Sequence, residues 1–229
     1  MNKKQILKMI ETNAFQTIYQ PIVNIQENQI YGYESLTRIS SEPISEFIQS
    51  CEENRLTSQF ELRTIKNGMN HFSWRESTRL FLNISYGTFL KYYDEIEEWL
   101  KDSGKITFEF LETSYVEENQ RFDLYAKMAA LTRQFDTQFA IDDYGSGYAD
   151  IARVLRQPTD FVKTDAQLIK DFKQHQGKKL VLTNLHRFLE KNQKKMVVEG
   201  VENKEQLEFL QHLGVTYAQG FYFTKGMKN

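Results

Sequence analysis

Short strand-like runs along this chain keep ending in residues that strands normally exclude. Glu34 closes IYGYESL, Asn83 closes RLFLNIS, Glu109 sits in ITFEFLE, and Asp142 and Asp143 close FAIDD. Lys163 then closes DFVKTD, Glu199 closes MVVEG, and Gln219 sits in YAQGFYF. One such ending is unremarkable, because a lone strand-end carboxylate is more often a helix cap or a solvated loop residue than a ligand. Repeated on successive strands, the placement gathers these residues around one rim, and a rim of carboxylates is a metal site.

Between the runs lie helix-like stretches. QTIYQPIVNI and QIYGYESLTRI are joined by a turn around Glu27 and Asn28, too short for anything but antiparallel neighbours. Ile6, Leu7 and Ile10 share one side of a short N-terminal helix. Helical stretches are expected over 44–72, 92–100, 122–135, 149–156, 166–191 and 204–213, each leading into the next strand. About eight strands alternating with helices in 229 residues, 40% of them hydrophobic, predict an α/β fold. Its form is a TIM-like (β/α)8 barrel with an antiparallel first strand. An open doubly wound sheet is the alternative, but no glycine-rich phosphate loop follows the first strand.

Alternation within the strands supports the barrel. Ile106, Phe108 and Phe110 share one face, suited to a helix layer, and Thr107 and Glu109 share the other. By the same parity Phe81, Asn83, Ala140, Asp142, Val197 and Glu199 face inward, while Leu82, Ile84, Phe139, Ile141, Met196 and Val198 face outward. Adjacent strand residues point oppositely, so Asp142 and Asp143 reach one site only if the strand ends there and the chain kinks at Tyr144–Gly147.

Glu34, Asn83, Glu109, Asp142, Asp143 and Glu199 thus form an oxygen-rich set without cysteine or histidine, which favours Mg2+ or Mn2+. An aspartate shared between two ions suits in-line displacement at phosphorus. Lys163 is placed to orient a water or meet developing negative charge, and Arg38 to hold a phosphate oxygen. Glu112 and Glu202, each three residues beyond a ligand candidate, are read as supporting or loop-anchoring residues. A net charge of −2 gives no footprint for DNA. The single cysteine, Cys51, fits a cytoplasmic setting, and no run reaches membrane-spanning length, so no membrane insertion is expected.

These motifs resemble the EAL-domain family of cyclic di-GMP phosphodiesterases, over nearly the whole of residues 1–229 as one domain. YQPIVNI is similar to the family's opening strand, and YGYESLTR stands at the signature Glu-Ala-Leu with its arginine. FLNIS, FEFLET, IDDYGSGYADI, FVKTD, VVEGVENKEQLEFL and AQGFYF follow in the family's order. The resemblance implies hydrolysis of cyclic di-GMP to linear pGpG with two Mg2+ or Mn2+ ions. Glu34, Asn83, Glu109 and Asp142 would hold one ion, and Asp142 or Asp143 with Glu199 the second. Lys163 would position the water, Glu199 is a general-base candidate, and Gln20, Arg38 and Gln219 would line the substrate pocket. Glu112 would anchor the loop from Asp143 to Tyr148. A homodimer is expected, with regulation through it or through a separate regulatory protein.

Two departures stand out. Ser35 replaces the signature alanine and by parity faces the helix layer, where its hydroxyl needs a partner. The segment ISSEPISEFI passes quickly from Arg38 into a helix, which trims one wall of the mouth. The alternative reading is a barrel that binds cyclic di-GMP or a protein partner without cleaving it. Such a receptor has no need of Glu34, Asp142, Asp143, Lys163 and Glu199 together.

Overall fold

Eight strands close on themselves in sequence order in the computed structural model, which describes residues 1–40, 43–73, 78–110, 116–146 and 151–225. They are β1 (Gln16–Asn24), β2 (Gln29–Arg38), β3 (Arg79–Ile84), β4 (Lys105–Phe110), β5 (Gln138–Tyr144), β6 (Phe161–Thr164), β7 (Lys195–Val198) and β8 (Tyr217–Gln219). β1 runs antiparallel to both its neighbours, β2 and β8, and every other pair is parallel. The antiparallel start follows from its turn. Asn24 Oδ1 accepts from the backbone N–H groups of Gln26 and Glu27, and Asn28 adopts the left-handed region at φ 53°.

The helices among the described residues are α1 (Lys3–Glu11), α2 (Ile44–Glu53), α3 (Thr57–Asn70), α4 (Tyr86–Lys91), α5 (Tyr93–Leu100), α6 (Arg121–Phe135), α7 (Ile151–Arg156), α8 (Gln176–Lys191), α9 (Lys204–Leu213) and α10 (Phe221–Lys225). Several expected stretches are divided. The stretch 44–72 breaks where Arg55 turns left-handed at φ 58°. In 166–191 only a single 3-10 turn, Ala166–Leu168, precedes α8. YAQGFYF is not one strand. Gly220 sits at φ 155°, and a Cβ there would lie 2.2 Å from the carbonyl oxygen of Val201. The chain turns at that glycine, and Phe221 begins a helix.

The parity expectation holds. Leu82, Ile84, Ile106, Phe108, Phe110 and Phe139 pack outward against Phe89, Ile96, Leu124 and Met128 of α4, α5 and α6. Ile141, Val162, Met196 and Val198 pack outward against Leu182, Leu185, Leu189 and Leu210 of α8 and α9. Inside the barrel, Ile22, Phe81, Ala140, Phe161, Val197 and Tyr217 form a separate cluster with Tyr31. This filled interior leaves no pore, so chemistry is confined to the mouth. Ile6 and Ile10 of α1 pack with Phe47, Cys51 and Phe60 from α2 and α3.

Candidate metal centre at the barrel mouth

Register sets the height of each ligand candidate. Glu34 on β2 pairs with Gln20 on β1, and Asn83 on β3 lies level with Glu109 on β4. Lys163 rises from β6, Glu199 follows β7, and Gln219 ends β8. Tertiary structure brings all of them together.

Lys163 stands at the centre. Its ammonium nitrogen lies 3.2 Å from Glu34, 2.9 Å from Glu109, 3.0 Å from Asp142 and 2.7 Å from Glu199. The lysine side chain is 1% exposed. Burial pulls its pKa down, but the four carboxylates outweigh that and hold it charged, well above the ordinary range. Glu34 accepts from three directions: Gln219 Nε2 at 2.7 Å, Asn83 Nδ2 at 3.1 Å and Lys163. Burial raises its pKa, yet the Lys163 charge and these donors win, leaving it below the usual carboxylate value.

The other acids are less well compensated. Burial, then the charges of Glu34 and Asp142, push Glu109 well above its ordinary pKa. Burial raises Asp142 too, against the pull of Lys163. Burial and neighbouring Asp142 push Asp143 up to about 6, and burial, against the pull of Lys163, pushes Glu199 up to about 8. Five carboxylates around one ammonium carry more negative charge than a buried site tolerates without further cations. Among the described residues Oε2 of Glu109 is buried with no hydrogen-bond partner, while Oε1 of Glu109, Oδ1 of Asp142 and Oε1 of Glu199 all crowd onto the one Lys163 ammonium. Such atoms are what a hard cation takes up.

The acids fall into two groups sharing Asp142. Ligand atoms of Glu34, Glu109 and Asp142 lie within 4.8 Å of one another, as do those of Asp142, Asp143 and Glu199. The adjacent aspartates meet by a different route from the expected strand end. β5 continues to Tyr144, and its register with β6 shifts between Ile141 and Tyr144. Asp143 sits left-handed at φ 56°, which aspartate tolerates better than most residues, and this bulge cancels the alternation.

The remaining candidates sort plainly. Gln20 and Arg38 line the cavity of about 610 Å3 that opens above the cluster, as do Glu202 and Gln219. Arg38 is exposed and, among the described residues, donates only to the neighbouring Thr37 carbonyl, 3.3 Å away. Glu202 is also exposed, and its backbone N–H is held by Gln206 at 2.7 Å. Gln219 does more than line the pocket, because it holds Glu34. Glu112, and Gly147 to Tyr148 of the expected loop, lie outside the described residues.

Sequence reading passed over Glu61. This α3 residue is 6% exposed, lines the same cavity and accepts from the backbone N–H and hydroxyl of Ser85, at 3.2 and 2.8 Å. A charged residue on the apolar Phe60–Ile65 face was its only signal. Ser35 meets the helix layer as expected: its Oγ lies 2.6 Å from where a Cβ on Gly68 would be, so only glycine fits there on α3.

Comparison with known proteins places this architecture. The EAL domain family profile matches residues 3–226. Among curated relatives, the probable cyclic di-GMP phosphodiesterase PdeI of Escherichia coli is 28% identical over 98% of this chain. The cyclic di-GMP phosphodiesterase NbdA of Pseudomonas aeruginosa is 23% identical over 97%. The chain spans 30% of the length of each of these two proteins. The crystal structure of an EAL domain protein from Listeria monocytogenes superposes with a TM-score of 0.77 at 24% identity, covering 97% of this chain and 92% of that one. The match over nearly its whole length, on a barrel of the same form, means that the chain belongs to the EAL domain family.

Proposed function

We propose that this chain hydrolyses one phosphodiester bond of cyclic di-GMP to linear pGpG, with two Mg2+ or Mn2+ ions at the barrel mouth. One observation carries the reading: two carboxylate triads that share Asp142 beneath a cavity of about 610 Å3. The activity named for the curated relatives accords with it. Glu34, Asn83, Glu109 and Asp142 are assigned to one ion, and Asp142 or Asp143 with Glu199 to the other. Asn83 already gives its amide nitrogen to Glu34, which leaves its oxygen as the ligand atom. Bound there, the ions supply Lewis-acid stabilisation of charge on the phosphoryl oxygens.

The chain's own residues supply the rest. Lys163 orients the attacking water and meets negative charge as the new P–O bond forms. Glu199 is the most exposed of the four acids on Lys163, at 22%, and is the candidate to take the water's proton. The P–O3′ bond breaks, the 3′ oxygen takes up a proton from solvent to leave as a hydroxyl, and the phosphate stays on the 5′ side of pGpG. Gln20, Arg38 and Gln219 are assigned to the substrate, with Arg38 on a phosphate oxygen. Glu112 and Glu202 are assigned to support of the surrounding loops.

Regulation is assigned to a homodimer or a separate regulatory protein. Ile151 and Leu155 of α7, soon after Asp143 in the chain, stay 51% and 54% exposed, as a covered surface requires. No described helix is long and apolar enough to cross a membrane. A cytoplasmic setting accords with the lone Cys51, and the −2 net charge does not favour DNA.

The test is to incubate the purified chain with cyclic di-GMP and Mn2+ and follow pGpG by chromatography. Product that disappears with a chelator and in Asp142→Asn is expected. Near-full turnover in Asp142→Asn sinks the site assignment. Binding without product makes the barrel a receptor.

A further inference from the structure

Phe221 is the exception among the aromatic residues of the C-terminal segment. Its neighbours Tyr222 and Phe223 pack onto the hydrophobic core, whereas Phe221 is 65% exposed. It is not a loose surface ring. It lines the cavity that holds Glu34, Asp142, Asp143 and Glu199, and it follows Gln219, the donor to Glu34, by two residues.

Its backbone is held firmly. The Val201 N–H donates to the Gln219 carbonyl at 3.0 Å, the Tyr222 N–H donates to the Val201 carbonyl at 3.0 Å, and the Phe223 N–H donates to the Gly220 carbonyl at 3.2 Å. Gly220 fits so closely that a Cβ would lie 2.2 Å from the oxygen and 2.4 Å from the nitrogen of Val201. Val201 is two residues beyond Glu199. The ring is therefore mounted on the same backbone unit that presents Glu199 and Gln219. An uncovered phenyl ring forgoes the hydrophobic gain that burial brings. Such a ring, carried on a backbone so held and lining this cavity, suits the face of a nucleobase.

We propose that Phe221 is a base-stacking platform, taking the face of one purine of the substrate and so setting KM. The inference rests on the cyclic dinucleotide reading of the cavity and assigns to Phe221 a part in it. Stacking uses the π-face that every base has, so the platform holds a purine without choosing between guanine and adenine. Choice of base falls to other groups.

The experiment is steady-state hydrolysis of cyclic di-GMP with Mn2+ by the wild type, Phe221→Ala, Phe221→Leu and Phe221→Trp, with Mn2+ binding and native mass measured on each. Ala and Leu should raise KM at least about fivefold and act on kcat/KM mainly through KM, while Trp restores it. Mn2+ affinity should be the same in all four proteins. Leucine keeps the apolar bulk, so a wild-type KM in Phe221→Leu overturns stacking. An altered native mass with unchanged KM overturns it too, by making the ring an assembly contact. A wild type that binds Mn2+ but neither binds nor cleaves cyclic di-GMP overturns the substrate reading and this inference together. An active wild type matched by an equally good Phe221→Ala overturns the platform alone.

Discussion

Gln219 donates its side-chain amide to Glu34 across 2.7 Å, so the last strand of the barrel holds the carboxylate that the second strand presents. The two residues are 185 positions apart. Both sit beside β1, whose antiparallel course brings Gln20 level with Glu34 and Ile22 level with Gln219. The closure of the barrel thereby helps to shape the candidate metal site.

Gln219→Ala removes a donor that fixes the orientation of Glu34. Loss of such a support typically costs about 10- to 100-fold in metal affinity. Calorimetric titration with Mn2+ measures this, and wild-type affinity in the variant would show that Glu34 needs no such anchor.

Lys163→Met removes the one ammonium that, among the described residues, touches Glu34, Glu109, Asp142 and Glu199, the first three of them buried. Breaking a buried ion pair from one side costs about 3–5 kcal/mol. The metal-free variant should melt well below the wild type, and Mn2+ should recover much of the loss by neutralising the same acids. A variant that melts like the wild type without metal would count against the central role of the lysine.

Proton release should accompany metal binding. Glu199, raised from 4.5 to about 8, and Asp143, raised from 3.8 to about 6, hold protons in the metal-free fold that ligands must shed. Because both folded pKa values lie above the unfolded ones, the fold binds more protons than the unfolded chain. Their contribution to metal-free stability is therefore greatest below pH 4 and is lost as pH rises, through about 6 for Asp143 and about 8 for Glu199. Mn2+ affinity should climb over the same range. Binding heats at pH 6.5 in buffers of different ionisation enthalpy report the released protons, and identical heats would contradict these shifts.

Gly68→Ala should destabilise the fold although alanine is the better helix former. The new Cβ would meet Ser35 Oγ at 2.6 Å and Leu82 Cδ2 at 2.9 Å, and overpacking of this kind costs about 1–3 kcal/mol. With two contacts under 3.0 Å the cost is expected in the upper part of that range, above the roughly 1 kcal/mol that alanine gains over glycine within a helix. Thermal melting of Gly68→Ala, alone and with Ser35→Gly, separates the contributions. Partial rescue by the second change is expected, and a stabilised single variant would overturn the contact.

Much of this protein is local in origin and so stands written along the chain. Alternation of Ile106, Phe108 and Phe110 with Thr107 and Glu109 assigns faces, because strand geometry has a period of two. The short polar turn at Glu27 and Asn28 dictates an antiparallel start. The recurrence of Glu34, Asn83, Glu109, Asp142, Lys163 and Glu199 at strand ends identifies the rim. Other features arise only from packing between distant segments. The left-handed bulge at Asp143 depends on the register of β5 against β6, and the break at Gly220 depends on Val201 lying across it. Nothing near Lys163 in the chain announces that its ammonium will meet four acids, since Glu34 lies 129 residues away. Nor does the QGF tripeptide show that its phenylalanine stays outside while the next two aromatics go in. Sequence determines which face each side chain takes along its own element. Which side chains then meet is decided by closure of the barrel, because contacts between distant strands form only when the eighth strand pairs with the first.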